Sequence, residues 1–306
     1  MHTMKMTRRE FAGGLAMTGV LAGAQGCRTA GSRPGRILFG ACRGIEDVKL
    51  MASIGYDFWE GHAVKVFEPE KDGEWWKRQK DLILAQPLPL RSCNCLIPGT
   101  FRLTGPKADP KPALDFAETI FRRAEEVGVK TLVLGAGKAR NVPGDLTGPL
   151  EQQPDTERGR DQYAAFCGEL CRRVADLRTA TLVVEPLRPK ESNIINYVWQ
   201  GLQIVEEINS PRLAQLADIF HMMMGREDAE SIVRAGPRLK HCHVASYGTR
   251  RFPGSEPETV ERLRPYFDAL RAIGYTGGVS CECGWGEKAD RQKNLETALK
   301  TLRGLV

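Results

Sequence analysis

Short apolar runs alternate eight times with longer amphipathic stretches along most of this 306-residue chain. The apolar runs have the length of strands, and the stretches between them repeat apolar residues at three- and four-residue steps, the period of a helix. The predicted strands are 36–42, 56–62, 90–97, 130–136, 180–186, 213–219, 239–245 and 278–284. The predicted helices are 45–54, 74–85, 111–127, 157–177, 196–208, 228–235, 257–273 and 290–304. Eight successive strand–helix units predict an α/β fold whose parallel strands close into a single (β/α)8 TIM barrel over residues 36–306.

Glycines support these boundaries and argue against another α/β fold. Four of them stand where a predicted helix should end, shortly before the next strand: Gly55, Gly128, Gly236 and Gly274. The alternative, an open doubly wound sheet, would need a phosphate-binding loop after an early strand. The stretch 135–139 (GAGKA) has the spacing of neither phosphate-binding fingerprint. No shift in composition divides the chain after residue 35, so one domain is predicted.

The N-terminal residues have the pattern of an export signal. The segment 7–11 (TRREF) resembles a twin-arginine motif, and the Gly/Ala-rich stretch 11–26 is shorter than the ~20 residues that span a bilayer. Cys27 follows Ala24-Gln25-Gly26, as a lipidated cysteine would, although simple cleavage nearby is the alternative. We therefore predict a twin-arginine-type signal at 1–27 and a linker at 28–35. The protein is then periplasmic, or anchored to the outer side of a membrane through a lipid on Cys27.

The cysteines after Cys27 are predicted to be free thiols. They are Cys42, Cys93, Cys95, Cys167, Cys171, Cys242, Cys281 and Cys283. An even number in an exported protein suggests disulfides. However, five of these residues fall in predicted strands, where buried thiols behave as small hydrophobic groups. No CxxC pair supports a structural zinc site.

Charge and composition narrow the class of partner. The chain carries a formal net charge of +6, with 42% hydrophobic and 27% charged residues, as in ordinary soluble domains. Lysine and arginine are scattered and do not form a dense basic run, which argues against a nucleic-acid partner. A small-molecule substrate is favoured, and nothing in the sequence indicates an oligomeric state.

Polar residues end each of the last four predicted strands. Glu185, Asp218, His243 and Glu282 should meet at the C-terminal end of the barrel, where catalytic groups of such barrels lie. Each residue alone has a structural explanation, but three converging carboxylates would repel one another unless a cation compensates. Carboxylate oxygens with one imidazole suit Mn²⁺, Mg²⁺ or Co²⁺, with Zn²⁺ as another option. His241 lies deeper in its strand, as an indirect support or an alternative ligand.

Several motifs resemble the xylose isomerase-like barrel family, which includes ketose 3-epimerases and hydroxypyruvate isomerase. They are Glu185-Pro186-Leu187 with Glu191-Ser192-Asn193, the stretch 218–222 (DIFHM), His241-Cys242-His243 with Arg250, and Glu282. The resemblance extends over most of residues 36–306. It implies an exported sugar isomerase or epimerase with one divalent metal ion.

The resemblance also implies roles for individual residues. Glu185, Asp218, His243 and Glu282 would bind the metal, and the two glutamates would move a proton next to a ketose carbonyl through an enediolate. Glu191, His221 and Arg250 would contact the sugar. The spacing from His243 to Arg250 is one residue longer than in ketose 3-epimerases, so Arg251 is an alternative to Arg250.

Other polar residues near the predicted strand ends are weaker candidates. Glu60 and His62 close the second strand and would face either the substrate pocket or a surface loop. Asn94 alternates with two cysteines and should point inward toward substrate. Trp75 and Trp76 would either form a wall that stacks on sugar or pack against helices.

Three other functions remain open. A lyase that acts on 3-keto-glycosides would use the same proton abstraction and release an aglycone. A non-catalytic exported barrel would bind sugar without proton exchange. An abasic-site endonuclease of the same fold would need a multi-zinc cluster, and the mature chain offers only His62, His221, His241 and His243 among histidines.

Overall fold

In the computed structural model, which describes residues 35–145, 147 and 152–306, eight parallel strands form a nearly closed barrel with helices between them. The predicted signal and all but the last residue of the linker lie outside the described residues. The strands are β1 Leu38–Ala41, β2 Trp59–His62, β3 Leu90–Asn94, β4 Thr131–Leu134, β5 Thr181–Val184, β6 Leu213–Asp218, β7 Leu239–Val244 and β8 Gly278–Cys281. The TIM barrel prediction is therefore confirmed.

Helices follow or precede each strand on the outside of the barrel. The described α-helices are α1 Val48–Ile54, α2 Ala63–Phe67, α3 Gly73–Leu84, α4 Pro110–Glu126, α5 Gly137–Arg140, α6 Thr156–Arg173, α7 Val198–Ile208, α8 Ile219–Met224, α9 Glu230–Ala235, α10 Thr259–Ala272 and α11 Arg291–Arg303. Short 3-10 turns cover Ile45–Asp47, Gly236–Arg238 and Lys288–Asp290. Within the described part of the chain, no helix is both long and apolar enough to cross a membrane.

The strands pair in the order β1-β8-β7-β6-β5-β4-β3-β2, so β1 and β2 are the two ends of the sheet. A single parallel bridge between Cys42 and Glu60 joins these ends, and the Arg43 N–H donates to the Glu60 carbonyl at 3.1 Å. The barrel is thus held together at this seam by one bridge in place of a full ladder.

Two β-bulges change the register on opposite sides of the barrel. The pairing of β2 with β3 skips Arg91, which has no partner residue on β2. The pairing of β6 with β7 skips Lys240 in the same way. Since three strands lie between β3 and β7 in either direction around the barrel, the two extra residues lie across its axis from each other.

The core has two layers. A small cluster inside the barrel consists of Val133, Val183, Ala214 and Leu216. A much larger cluster fills the space between the sheet and the helices. On α4, for example, Ala117, Ile120, Phe121 and Ala124 are fully buried at the three- and four-residue steps of a helix face. Burial of a large apolar side chain stabilises the fold by ~1.5–3 kcal/mol.

Some predicted boundaries were wrong, mostly by a few residues. The predicted helix 45–54 begins with a 3-10 turn, and the predicted helix 157–177 ends at Arg173. Three short helices, α2, α5 and α8, follow strands directly and were not predicted. α8 forms because the Asp218 carboxylate accepts the N–H groups of Phe220 and His221 at its start. All eight cysteines after Cys27 are free, as predicted.

Candidate metal centre and active site

Four side chains from consecutive late strands meet at one end of the barrel. Glu185 follows β5, Asp218 ends β6, His243 lies in β7 and Glu282 follows β8. One oxygen or nitrogen atom from each lies within 4.8 Å of the other three. Parallel strands place their carboxyl ends at the same end of the barrel, which is why residues far apart in sequence converge here. We call this end the C-terminal mouth.

His243 lies at the centre of this group and is fully buried. Its Nδ1 is 2.9 Å from Glu185 Oε1 and 3.8 Å from Glu282 Oε2. Its Nε2 is 3.0 Å from Glu60 Oε1 on the other side of the ring. The imidazole is therefore held with Nδ1 toward the carboxylates of the C-terminal mouth.

The two carboxylate oxygens of Asp218 have different surroundings. Oδ1 accepts the Phe220 N–H at 2.8 Å and so caps α8. Oδ2 is buried and has no hydrogen-bond partner among the described residues. A buried carboxylate oxygen without a partner is costly, and one that faces two other carboxylates is suited to bind a cation.

Electrostatics at the C-terminal mouth favour a bound positive charge. Burial and the charge of Glu282 raise the pKa of Glu185. Burial alone would also raise the pKa of Glu282, but the charges of His243 and Arg250 outweigh it and lower that pKa. Burial opposes protonation of His243, yet the charges of Glu60 and Glu282 raise its pKa well above its usual value. Three carboxylates, one of which has an oxygen without a hydrogen-bond partner among the described residues, and one imidazole fit a hard divalent cation such as Mn²⁺, Mg²⁺ or Co²⁺.

Glu60 supports this group from below. It is fully buried, so the prediction of a surface-loop position is wrong for this residue. Its Oε2 lies 2.8 Å from His241 Nε2, and its Oε1 lies 3.0 Å from His243 Nε2. His241 also contacts Ser92 Oγ at 3.2 Å and is absent from the four-residue group. His241 therefore lies behind Glu60, outside the group formed by Glu185, Asp218, His243 and Glu282.

Arg250, and not Arg251, reaches the C-terminal mouth. Its Nη2 lies 2.5 Å from Glu282 Oε2, and its Nη1 lies 3.2 Å from Glu191 Oε1. The Arg250 backbone is left-handed, with φ 52°. Arg251 is exposed, with its guanidinium carbon 5.7 Å from the Phe252 ring centre. The longer spacing after His243 thus leaves Arg250 in place.

Two more predicted substrate contacts lie at this mouth. His221 is buried, and neither ring nitrogen has a hydrogen-bond partner among the described residues. Its Nε2 is 3.5 Å from Asp218 Oδ2 and 3.9 Å from Glu191 Oε2. Asn94 points inward as predicted and donates to Glu282 Oε1 at 2.7 Å.

A comparison with protein-family models identifies the family. Residues 48–305 match the model described as xylose isomerase-like TIM barrel. The chain belongs to the xylose isomerase-like TIM barrel family. The resemblance noted in the sequence is therefore confirmed at the level of the family.

Curated relatives are similar over part of their length. A probable ketose 3-epimerase from Synechocystis is 25% identical over 194 residues, which cover 63% of this chain and 63% of that protein. An L-ribulose 3-epimerase from Mesorhizobium japonicum is 29% identical over 143 residues, 46% of this chain and 47% of that protein. The chain thus matches about half to two thirds of the length of these relatives.

Solved structures share the fold at low sequence identity. A D-psicose 3-epimerase from Clostridium cellulolyticum, solved with D-tagatose, superimposes with a TM-score of 0.73 and 17% identity, over 88% of this chain and 99% of that one. A 3-keto-D-glucoside 4-epimerase from E. coli superimposes with a TM-score of 0.71 and 20% identity, over 88% and 100% of the two chains.

The remaining predicted sugar contacts, His62 and the two tryptophans, lie outside the group formed by Glu185, Asp218, His243 and Glu282. His62 is half-buried and lines a neighbouring cavity of about 490 Å³ that also contacts Cys42, Arg43 and Asn94. The prediction that Trp75 and Trp76 form a wall that stacks on sugar is wrong, because both pack against the core. Trp76 packs against Phe67 beneath α3 and donates to Glu126, because its indole is buried between helices.

Gly135 contributes to the site in a way that the sequence did not reveal. A Cβ at this position would lie 2.3 Å from Glu185 Oε2. Any residue other than glycine would therefore force the Glu185 carboxylate to move. The stretch 135–138 lines a cavity of about 450 Å³ together with Glu185, Glu191, Arg250 and Glu282. The glycine-rich stretch is thus part of the C-terminal mouth, although it is no phosphate loop.

Proposed function

We propose that the protein is a divalent-metal-dependent sugar epimerase or isomerase that moves a proton next to a ketose carbonyl. The observation that carries this proposal is that Glu185 and Glu282 both approach Nδ1 of His243, in one largely buried group with Asp218. Relatives whose names are probable ketose 3-epimerase and L-ribulose 3-epimerase support the same chemistry.

The two glutamates carry out the proton transfer. A bound divalent cation would polarise the carbonyl and an adjacent hydroxyl of the sugar. One glutamate takes the proton from the carbon beside the carbonyl and leaves an enediolate. The other glutamate returns a proton to the opposite face of that carbon in epimerisation, or to the neighbouring carbon in isomerisation.

The surrounding polar groups orient the sugar. Arg250 offers guanidinium donors between Glu191 and Glu282, and His221 has two ring nitrogens free to bind hydroxyls. Asn94 holds the Glu282 carboxylate in position through its 2.7 Å hydrogen bond. Burial of His221 and Asn94 strengthens the interactions that these two side chains make.

The test is solvent exchange. The metal-loaded protein is incubated in deuterated water with a panel of ketoses, and NMR locates any deuterium. We expect label on a carbon next to the carbonyl of at least one sugar. Saturable sugar binding without label on any carbon would instead support a non-catalytic sugar-binding barrel.

A second candidate is a lyase that acts on 3-keto-glycosides. Asn94, which lines the cavity of about 490 Å³, donates to Glu282, which lines a second cavity of about 450 Å³. The aglycone of a glycoside would occupy the first cavity while the keto sugar faces Glu185 and Glu282. Release of the aglycone from a chromogenic 3-keto-glycoside would identify this activity, and an intact glycoside with exchanged hydrogens would identify epimerisation.

We also propose that the protein is exported by the twin-arginine route and lipidated on Cys27. The support is the sequence of residues 7–27 alone, which lies outside the described residues. Cell fractionation of the wild type and of the variant Arg8→Lys/Arg9→Lys tests it. Export of the wild type with cytoplasmic retention of the variant is expected, and equal distribution of both would contradict the proposal.

A further inference from the structure

The opposite end of the barrel, which we call the N-terminal mouth, opens into a cavity of about 500 Å³. Three basic residues line it: Arg91 in β3, Lys130 just before β4, and Lys240 in β7. None of the described residues that line this cavity is acidic. Within the described ranges, no carboxylate lies within ion-pair distance of these three cations. Arg91 is half-buried.

The backbone itself directs two of these cations to the cavity. Arg91 and Lys240 are the two residues that the strand pairing skips, and they lie on opposite sides of the barrel. A β-bulge aims a side chain away from the regular alternation of its strand. The N-terminal mouth therefore has two separate irregularities, and each places a positive charge at the same cavity.

The groups around these cations include a free hydroxyl and one carboxylate that forms no ion pair with them. The Thr181 hydroxyl lines the cavity and has no hydrogen-bond partner among the described residues. Glu125 is the carboxylate beside this region, but its oxygens already accept the Thr179 hydroxyl at 2.7 Å and the Thr179 N–H at 2.9 Å.

We propose that the N-terminal mouth is a binding site for a phosphate group, held by Arg91, Lys130 and Lys240. Three like charges around one cavity repel one another, and a tetrahedral oxyanion relieves that repulsion. The planar guanidinium of Arg91 suits two oxygens of one phosphate, while the lysines act as point charges. This site is separate from the C-terminal mouth and does not depend on the proposed sugar chemistry.

The phosphate has two plausible sources, a free phosphate monoester or the phosphodiester headgroup of a lipid. A cavity of about 500 Å³ is large enough for either. Residue 35 lies against the cavity, because a Cβ on Gly35 would be 2.7 Å from the Thr276 side chain that lines it.

Calorimetric titration of the full chain tests the proposal at constant ionic strength. The probes are inorganic phosphate and glycerophosphoglycerol, the headgroup of an anionic lipid. The variant is Arg91→Gln/Lys240→Gln, and the control Lys107→Gln/Lys293→Gln removes the same charge from exposed positions elsewhere. We expect at least tenfold weaker binding by the variant and unchanged binding by the control. Tighter binding of phosphate indicates a free phosphate, and tighter binding of the headgroup indicates a lipid.

Two results would overturn the proposal. One is the absence of saturable binding of either probe to the wild type. The other is wild-type affinity in Arg91→Gln/Lys240→Gln, which would place the anion elsewhere. Circular dichroism and metal binding at the C-terminal mouth show whether the variant is folded. If it is not, the single variants Lys130→Gln and Lys240→Gln, both at exposed positions, replace it, and we expect each to weaken binding severalfold.

Discussion

The two mouths of this barrel carry opposite charges in different surroundings. At the C-terminal mouth, Glu185, Asp218 and Glu282 crowd around His243, and the first two carboxylates are 5% and 2% exposed. At the N-terminal mouth, Arg91 is half-buried while Lys130 and Lys240 are exposed. Both ends concentrate like charges, so both favour a counter-ion. Burial makes the interaction stronger and less sensitive to salt at the C-terminal mouth.

The comparison shows how one scaffold serves two kinds of site. Regular strand alternation brings the carboxylates together, since each ends or follows a strand. The cations of the N-terminal mouth depend on irregularity, since two of them occupy bulges. The proposed proton transfer therefore uses the more buried end, and the proposed phosphate site uses the end whose lysines are exposed.

The largest expected effect is on proton transfer at the C-terminal mouth. Glu185→Gln and Glu282→Gln should each reduce solvent-deuterium exchange by ~10²–10⁴-fold, because each removes one acid–base group. The exposed Glu206→Gln is the matched control and should exchange at the wild-type rate. Near-wild-type exchange by both variants would remove these glutamates from the reaction.

A smaller effect, on metal affinity, is expected when Glu60 is changed. Glu60→Gln should weaken Mn²⁺ binding by ~10–100-fold, because the carboxylate that fixes the orientation of His243 becomes an amide. Calorimetric titration of the metal-free protein measures this change, with Glu206→Gln again as control. Unchanged Mn²⁺ affinity would mean that the His243 ring is held by packing alone.

The smallest effect is expected from Glu125, near the N-terminal mouth. Burial works against its ionised form, but hydrogen bonds from Thr179, Arg178 and Ala180 lower its pKa from 4.5 to about 2. A lowered pKa stabilises the fold above the unfolded pKa, so this contribution is present at pH 7 and lost as the pH falls from 4.5 to about 2.

Denaturant unfolding at several pH values checks this contribution. Glu125→Gln should lower the free energy of unfolding by about 1 kcal/mol at pH 7, since the group is largely solvated. The difference from the wild type should shrink in the acid range. A difference that is the same at pH 7 and pH 2.5 would show that the charge of Glu125 is irrelevant.

The fold and the four-residue group follow from the sequence because both depend on strand periodicity. Glu185, Asp218, His243 and Glu282 end consecutive apolar runs, so their convergence needs only the assumption of a parallel barrel. Their role in binding a metal remains a prediction. Short helices such as α8 escaped prediction because a six-residue segment has too few turns to show a period.

Other features of the site cannot be predicted from the sequence, because they depend on contacts made in the folded structure. The inward direction of Glu60 is not evident in a strand of only four residues. The bulges at Arg91 and Lys240 depend on the register between neighbouring strands, and a single strand's sequence does not contain that information. The requirement for glycine at position 135 comes from Glu185, which lies 50 residues away in the chain and in contact only after folding.

The binding of one divalent cation by four side chains is tested most directly by titrating Mn²⁺ into the metal-free protein. We predict one saturable site per chain, and we predict that Asp218→Asn and Glu185→Gln each abolish it. At a free Mn²⁺ concentration of 100 times the Kd, the wild type should gain about 2.7 kcal/mol in the free energy of unfolding. Absence of a saturable site, or wild-type affinity in both variants, would contradict the metal centre.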